Sequence, residues 1–237
     1  MRRLLFATGL GLGLTVSQAS AAQPQQDSGR FDVYFAGLKA GEVQFAMERD
    51  GDRYTARGRI KPSGLVDAFT ELKIRAEVTG RLQGGAFQPE RYAAITGKGS
   101  AAPDRIITWH NGTLALQTTE TPDAFWADPT DQRNTVDPLT ALWGLLRREN
   151  GDDPCAHDLS TFDGQRRMRL VTGAGQRTDK GVTCTGRYIR EAGFSDETLE
   201  DGREFGVVLT YRPDATVWDL ARIEVTTPRG PALFIRR

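Results

Sequence analysis

Cysteine and histidine are scarce in this chain, with two of each among 237 residues. Two thiols are too few for a cysteine-built zinc module or a disulfide-dense scaffold. Neither His110 nor His157 sits in an HExxH pattern, and no GxSxG elbow occurs, so the signatures of zinc proteases and serine hydrolases are missing. Charge of one sign is lacking as well. The 31 Lys and Arg balance the 31 Asp and Glu, which removes the general field that would draw nucleic acid or an anionic membrane. Nor is there a run long enough to span a bilayer. The apolar stretch at residues 4–16 has about 13 residues, where a spanning helix needs about 20.

That stretch has another use. Arg2 and Arg3 precede it and Ala19-Ser20-Ala21 follows it, the order of an export signal with a small-residue cleavage pattern. Residues 1–21 are therefore expected to be a signal peptide, and the mature chain to start near Ala22 in the periplasm. No Cys near the cleavage site supports a lipid-modified N-terminus. Twin-arginine export is disfavoured because the polar residues that normally surround the Arg pair are missing. Loss of Arg2 and Arg3 leaves 29 basic against 31 acidic side chains, a net charge of −2. Residues 22–30, rich in Gln, Ser and Gly, read as a disordered leader, and residues 31–237 as a single β-rich domain.

An even cysteine count in an exported chain reads as one disulfide, Cys155 with Cys184. A redox-active or metal-bound pair is the alternative. The wide spacing, without CxxC or a neighbouring His in ligand pattern, argues against it.

Period-two alternation runs through the chain. It is clearest where Leu72, Ile74, Ala76, Val78 and Leu82 interleave with Lys73, Arg75, Glu77, Thr79 and Arg81. Val43, Phe45 and Met47 alternate in the same way, as do Tyr54, Ala56 and Ile60, then Ile107 and Trp109, Met168 and Leu170, the set Phe205, Val207, Leu209 and Tyr211, and Ile223 with Val225. One dry and one wet face mark antiparallel strands, since a buried parallel sheet would show continuous apolar runs. Asp50-Gly51, Asn111-Gly112, Asp163-Gly164 and Asp201-Gly202 supply hairpin turns, and residues 37–41 a further one. About ten or eleven strands result.

One segment breaks the pattern. Asp137 can cap a helix that begins at Pro138, and Leu139, Leu142, Trp143 and Leu146 then fall at i, i+3, i+4 and i+7. This amphipathic α-helix is expected to run about 12 residues to Asn150-Gly151, with Arg147, Arg148 and Glu149 in water. A shorter helical turn is expected around residues 65–72. The economical way to bury so many half-apolar strands is a sandwich or a sheet curled on itself. The predicted architecture is mainly β: a single antiparallel, strongly curved sheet or open barrel wrapped around the helix. Trp109, Leu139, Leu142, Trp143 and Leu146 are the candidate cavity-lining residues; Trp126 and Trp218 could line a cavity too, although single inward-facing aromatics are more often plain core.

The opening strand and turn, residues 31–42, the helix start Asp137-Pro138-Leu139-Thr140-Ala141-Leu142 and the Phe162-Asp163-Gly164 turn together resemble the bacterial periplasmic domain-of-unknown-function family 3108. The likeness covers most of residues 31–237. It implies a curved β-sheet envelope protein, distantly like lipoprotein carriers, in which a half-open barrel wraps a helix. It brings no catalytic residues with it.

Chemistry-bearing residues are few. Asp152, Asp153, His157, Asp158 and Ser160 gather near Cys155, where a cation or base site is conceivable in principle and a solvated loop beside a disulfide is the plainer account. His110 beside Asn111-Gly112 reads as a hairpin end, and nothing in the spacing of the acids marks a glycosidase pair. Arg166, Arg167 and Arg169 could dock an anion, but alternation of Arg167 and Arg169 with Met168 and Leu170 favours a charged outer strand face. The Gly97 to Gly99 pair lacks the strand-to-helix context of a phosphate loop. No catalytic, metal-binding or cofactor-binding residue is assigned. The expected function is non-enzymatic: an exported envelope protein holding an apolar ligand, a lipid or lipidated peptide, in the curled sheet, with peripheral envelope association and no nucleic acid. A scaffolding protein of envelope integrity that acts through its surface is the alternative, and an envelope hydrolase the second.

Overall fold

The computed structural model describes residues 25–63, 73–97, 102–110, 112–146, 153–214 and 217–237. Fourteen strands form one sheet: β1 (Gln25–Phe35), β2 (Leu38–Asp50), β3 (Arg53–Pro62), β4 (Ile74–Gln83), β5 (Ala86–Thr96), β6 (Arg105–His110), β7 (Thr113–Thr118), β8 (Asp158–Phe162), β9 (Arg167–Thr172), β10 (Gln176–Thr178), β11 (Gly181–Ala192), β12 (Glu204–Asp214), β13 (Val217–Thr227) and β14 (Gly230–Arg236). Two α-helices accompany them, α1 (Pro138–Leu146) and α2 (Asp196–Glu200). The spatial order is β7-β6-β5-β4-β3-β2-β1-β14-β13-β12-β11-β9-β8, with β10 pairing β11. Every strand pair is antiparallel, as the alternation predicted.

The order has a simple logic. Two meanders, β1–β7 and β8–β14, are joined by pairing of the first strand with the last, Phe31 opposite Arg236 and Phe35 opposite Ala232. The sheet is not closed, and its free ends are β7 and β8. The chain between those two strands crosses the gap and carries α1, so the connection itself delivers the helix to the inner face. There α1 touches β3, β4 and β5 of one meander and β8 and β13 of the other. At one end the gap is bridged. Arg105 Nη2 lies 2.7 Å from Glu120, Gln165 Nε2 donates to the same carboxylate at 2.8 Å, and Val136 pairs in parallel with Thr161 at the edge of β8. Bridging of this kind leaves less bare edge for unwanted pairing.

Several expectations are corrected. The strands number fourteen rather than ten or eleven, because short strands such as β7, β8 and β10, three to six residues long, offer little pattern to read. The leader is not disordered at residues 25–30, which extend β1 and pair with β2, Gln25 opposite Arg49 through Arg30 opposite Gln44. Gly29 admits the Phe45 ring over its backbone, and Asp27 is paired with Arg236 at 2.7 Å. The first hairpin turn is Ala36-Gly37, with φ of 48° and 84°, the type I′ pattern of two positive φ values; Gly41 lies within β2. Asp201-Gly202 makes no hairpin turn and instead ends α2, which Ser195 caps, with Gly202 N donating to Leu199 O. The final turn expected for α1 and the helical turn at residues 65–72 lie outside the described residues.

The helix is also less one-sided than its sequence suggests. Leu139, Thr140, Ala141, Trp143, Leu145 and Leu146 are all buried, while Leu142 and Gly144 are half-buried. Strands from both meanders surround α1, so a polar face would have had no water to meet.

Candidate functional site

The inner end of α1 is organised by Asp137. Its Oδ1 accepts from Leu139 N at 2.9 Å and Thr140 N at 3.0 Å, and its Oδ2 accepts from Thr140 Oγ1, which in turn shares a 2.8 Å hydrogen bond with Tyr54 Oη. These bonds satisfy the orphan donors of the first helical turn. The carboxyl is fully buried, and desolvation pushes its pKa up to about 6 against the pull of those bonds. Burial likewise pushes the Tyr54 and Tyr92 phenols upward, out of the physiological range.

Trp143 anchors the helix. Its ring meets Tyr54 edge-on at 5.4 Å and Phe87 at 5.7 Å, and it is 2% exposed. The indole is thus core rather than cavity wall. Leu146 is likewise packed in the core, and half-buried Trp109 sits on β6 against it, with its indole N–H buried and unpaired. Leu139 and Leu142 behave differently. They line an apolar cleft of about 350 Å³ between α1 and the inner faces of β1–β5, together with Phe31, Val43, Tyr92 and Phe234. Arg105, Asp163 and Thr96 give this cleft one polar end.

A second apolar cavity of about 270 Å³ lies on the other flank of the helix, walled by Leu145, Leu159, Leu170, Tyr188, Val207 and Val225 among others. Pro138, Leu142 and Ile223 belong to both walls, so the two spaces meet at the start of α1. Pockets for small ligands are typically about 300–1,000 Å³ and mostly apolar, with a few polar groups that set orientation. The cleft has those properties. Sequence reasoning found two of its lining residues, Leu139 and Leu142, and missed the strand residues. Their only signal was an inward place in the alternation, which they share with the filled core.

Cys155 and Cys184 form the disulfide, with 5.2 Å between their Cα atoms, tying the segment before β8 to β11. The polar residues around it do not converge. Asp153 accepts from Cys155 N, Asp158 pairs with Arg169 on the neighbouring strand, and His157 Nε2 lies 2.9 Å from Pro154 O and 3.2 Å from Tyr211 Oη. Asp152 lies outside the described residues. Among the described residues no group of three or more His, Cys, Asp and Glu is placed to hold a metal ion. Arg166, Arg167 and Arg169 separate as well: Arg166 stacks over Phe194, Arg167 pairs with Glu191 at 2.7 Å, and Arg169 joins Asp158. His110 ends β6 opposite Thr113, at the hairpin expected for it. Of the Gly97 and Gly99 pair, Gly99 lies outside the described residues. No helix among the described residues is long and apolar enough to cross a membrane.

The fold and cleft define an open, single-sheet β-container with a helix lodged against its inner face. The chain belongs to the family described as protein of unknown function (DUF3108), whose model matches residues 30–188. No curated protein and no solved structure matches it.

Proposed function

We propose that this chain is an exported, non-enzymatic protein of the bacterial cell envelope that holds an apolar, lipid-like ligand between its sheet and α1. The observation that carries this reading is the pair of apolar cavities meeting at Pro138, Leu142 and Ile223, one of which ends in Arg105, Asp163 and Thr96. An acyl chain laid along those walls gains about 25 cal/mol for each Å² of apolar surface removed from water. The polar end suits a headgroup. The signal-like composition of residues 1–21 and the Cys155–Cys184 bridge support an oxidising compartment, the periplasm.

Native mass spectrometry of the protein purified gently from an envelope fraction tests the reading. We expect a bound lipid-sized mass increment that delipidation removes and the fluorescent fatty acid cis-parinaric acid replaces. Leu142→Trp, which builds an indole into the shared wall, should abolish that uptake while the fold persists. A protein that emerges empty and takes up no fatty acid would overturn the proposal.

A further inference from the structure

β6 breaks its own inward pattern. Ile107 is fully buried and Trp109 packs against the core, so alternation turns Arg105, two positions before Ile107, toward the same interior. A guanidinium at an inward place costs free energy unless its donors are matched. Nη2 is matched, since Glu120 lies 2.7 Å away and is held in turn by Gln165 Nε2 at 2.8 Å. The Trp126 ring lies 5.8 Å from Arg105 Cζ. Nε is not matched: it is buried and makes no hydrogen bond among the described residues. The side chain is 11% exposed and lines the polar end of the helix cleft, so an unspent N–H donor stands where the apolar walls stop.

The charges at this end decide which kind of oxygen that donor suits. Glu120 already cancels the Arg105 charge. Asp163 lines the cleft and adds a negative one, its Oδ1 accepting from Gln165 N at 2.9 Å and Arg166 N at 2.8 Å. Behind Thr96, Asp104 Oδ2 accepts from Thr96 N at 2.7 Å, while Asp104 Oδ1 is buried and unpaired. Arg59 also borders the cleft, but its neighbour Gly58 faces Leu139, so alternation turns the Arg59 side chain to the outer face. Three carboxylates thus stand at this end with one inward guanidinium. An added carboxylate or phosphate would deepen that imbalance in a largely buried place. Resting on the reading of the cleft as a lipid site, we propose that its ligand is a neutral acyl ester with a hydroxylated head, of the monoacylglycerol type, and that Arg105 selects it. The ester carbonyl accepts from Nε–H. The hydroxyls of the head donate to the Asp163 carboxylate and Thr96 Oγ1, for which an ionised fatty acid has no proton. The acyl chain lies along Phe31, Val43, Leu139 and Leu142.

Displacement of cis-parinaric acid from the full chain at pH 7.5 tests the assignment, with 1-lauroylglycerol and laurate as competitors that share a chain length and differ in the head. 1-Lauroylglycerol should displace the probe at about tenfold lower concentration, the worth of one buried hydrogen bond from a charged donor. Arg105→Lys puts a methylene where Nε stands and keeps a cation for Glu120. It should bring the two lipids level while cis-parinaric acid still enters. Glu120→Gln leaves the Arg105 charge uncancelled and should shift the ratio about tenfold toward laurate; it decides the question if Arg105→Lys does not fold. The ratio is the readout because a merely structural role would weaken both lipids alike. Laurate that competes as well as the glyceride in the parent, or an unchanged ratio in either folded variant, overturns the selection by Arg105 and leaves the container standing. A parent that takes up no cis-parinaric acid overturns the container reading itself, and the selection with it.

Discussion

Asp137 offers the sharpest test of how α1 is held. Burial raises its pKa from an ordinary 3.8 to about 6, so the folded protein binds this proton more tightly than the unfolded chain does. Below pH 4 the group is protonated in both states and costs nothing. As pH climbs from 4 to 6 the unfolded chain ionises first, and stability falls until the buried group has also lost its proton. At 1.36 kcal/mol per pKa unit, that loss is about 3 kcal/mol, complete above pH 6. Asp137→Asn keeps an oxygen for Leu139 N and Thr140 N and carries no charge, so it should escape the loss. Urea unfolding of both proteins at pH 4 and pH 7.5, disulfide intact, measures the effect as a difference, in which every other titrating group cancels. The stability gap between variant and parent should move by about 3 kcal/mol in favour of Asn across that interval. Parallel pH profiles would refute the reasoning, since the carboxylate would then be as well solvated folded as unfolded. Asp137→Ala removes the cap altogether and should cost about 1–2 kcal/mol at any pH, with more added by the two buried donors it strands.

Cys155→Ser should destabilise the oxidised protein by about 3–4 kcal/mol and lower its Tm by roughly 10 °C, while the reduced parent and variant melt together; two titratable thiols in the native parent would contradict this. Gly58→Ala should destabilise by about 1–3 kcal/mol, because the added methyl meets the end of the Leu139 side chain, which must shift against its neighbours; an unchanged denaturant midpoint would show that Leu139 has room to turn aside. Asp32, which the hydrogen bonds of Arg237 and then Lys39 hold below the usual carboxylate range, should contribute stability above its unfolded pKa that fades as pH drops toward its folded value. Asp32→Asn should therefore lie below its parent near neutrality and converge with it in acid. A gap that does not shrink as the pH falls below the usual carboxylate range would argue against an ionic origin.

The period-two pattern made the sheet legible because nearly every strand shows one face to water, and Asp137-Pro138 announced the start of α1 through capping chemistry, with the helical spacing of Leu139, Leu142, Trp143 and Leu146 behind it. What escaped detection depended on distance rather than on pattern. Residues 25–30 look polar and featureless, yet Asp27 finds Arg236 from the far end of the chain. The helix seemed amphipathic because a sequence cannot show that strands from two meanders close on both flanks. The same ambiguity limited the site. Leu142 and Trp143 are neighbours with equal claim to an interior place, and only the packing of Tyr54 and Phe87 sends one to the core and leaves the other beside open space.

Pairing between β1 and β14 carries a consequence for assembly. β14 is the strand that fuses the two halves, so until it docks each half keeps a raw flank, Phe31 and its neighbours on one side and β13 on the other. Such flanks invite strangers, and contacts this remote in sequence form slowly. Asp32, Arg222 and Glu224 stud those margins with ionic groups, a guard against unwanted partnership until β14 is in place.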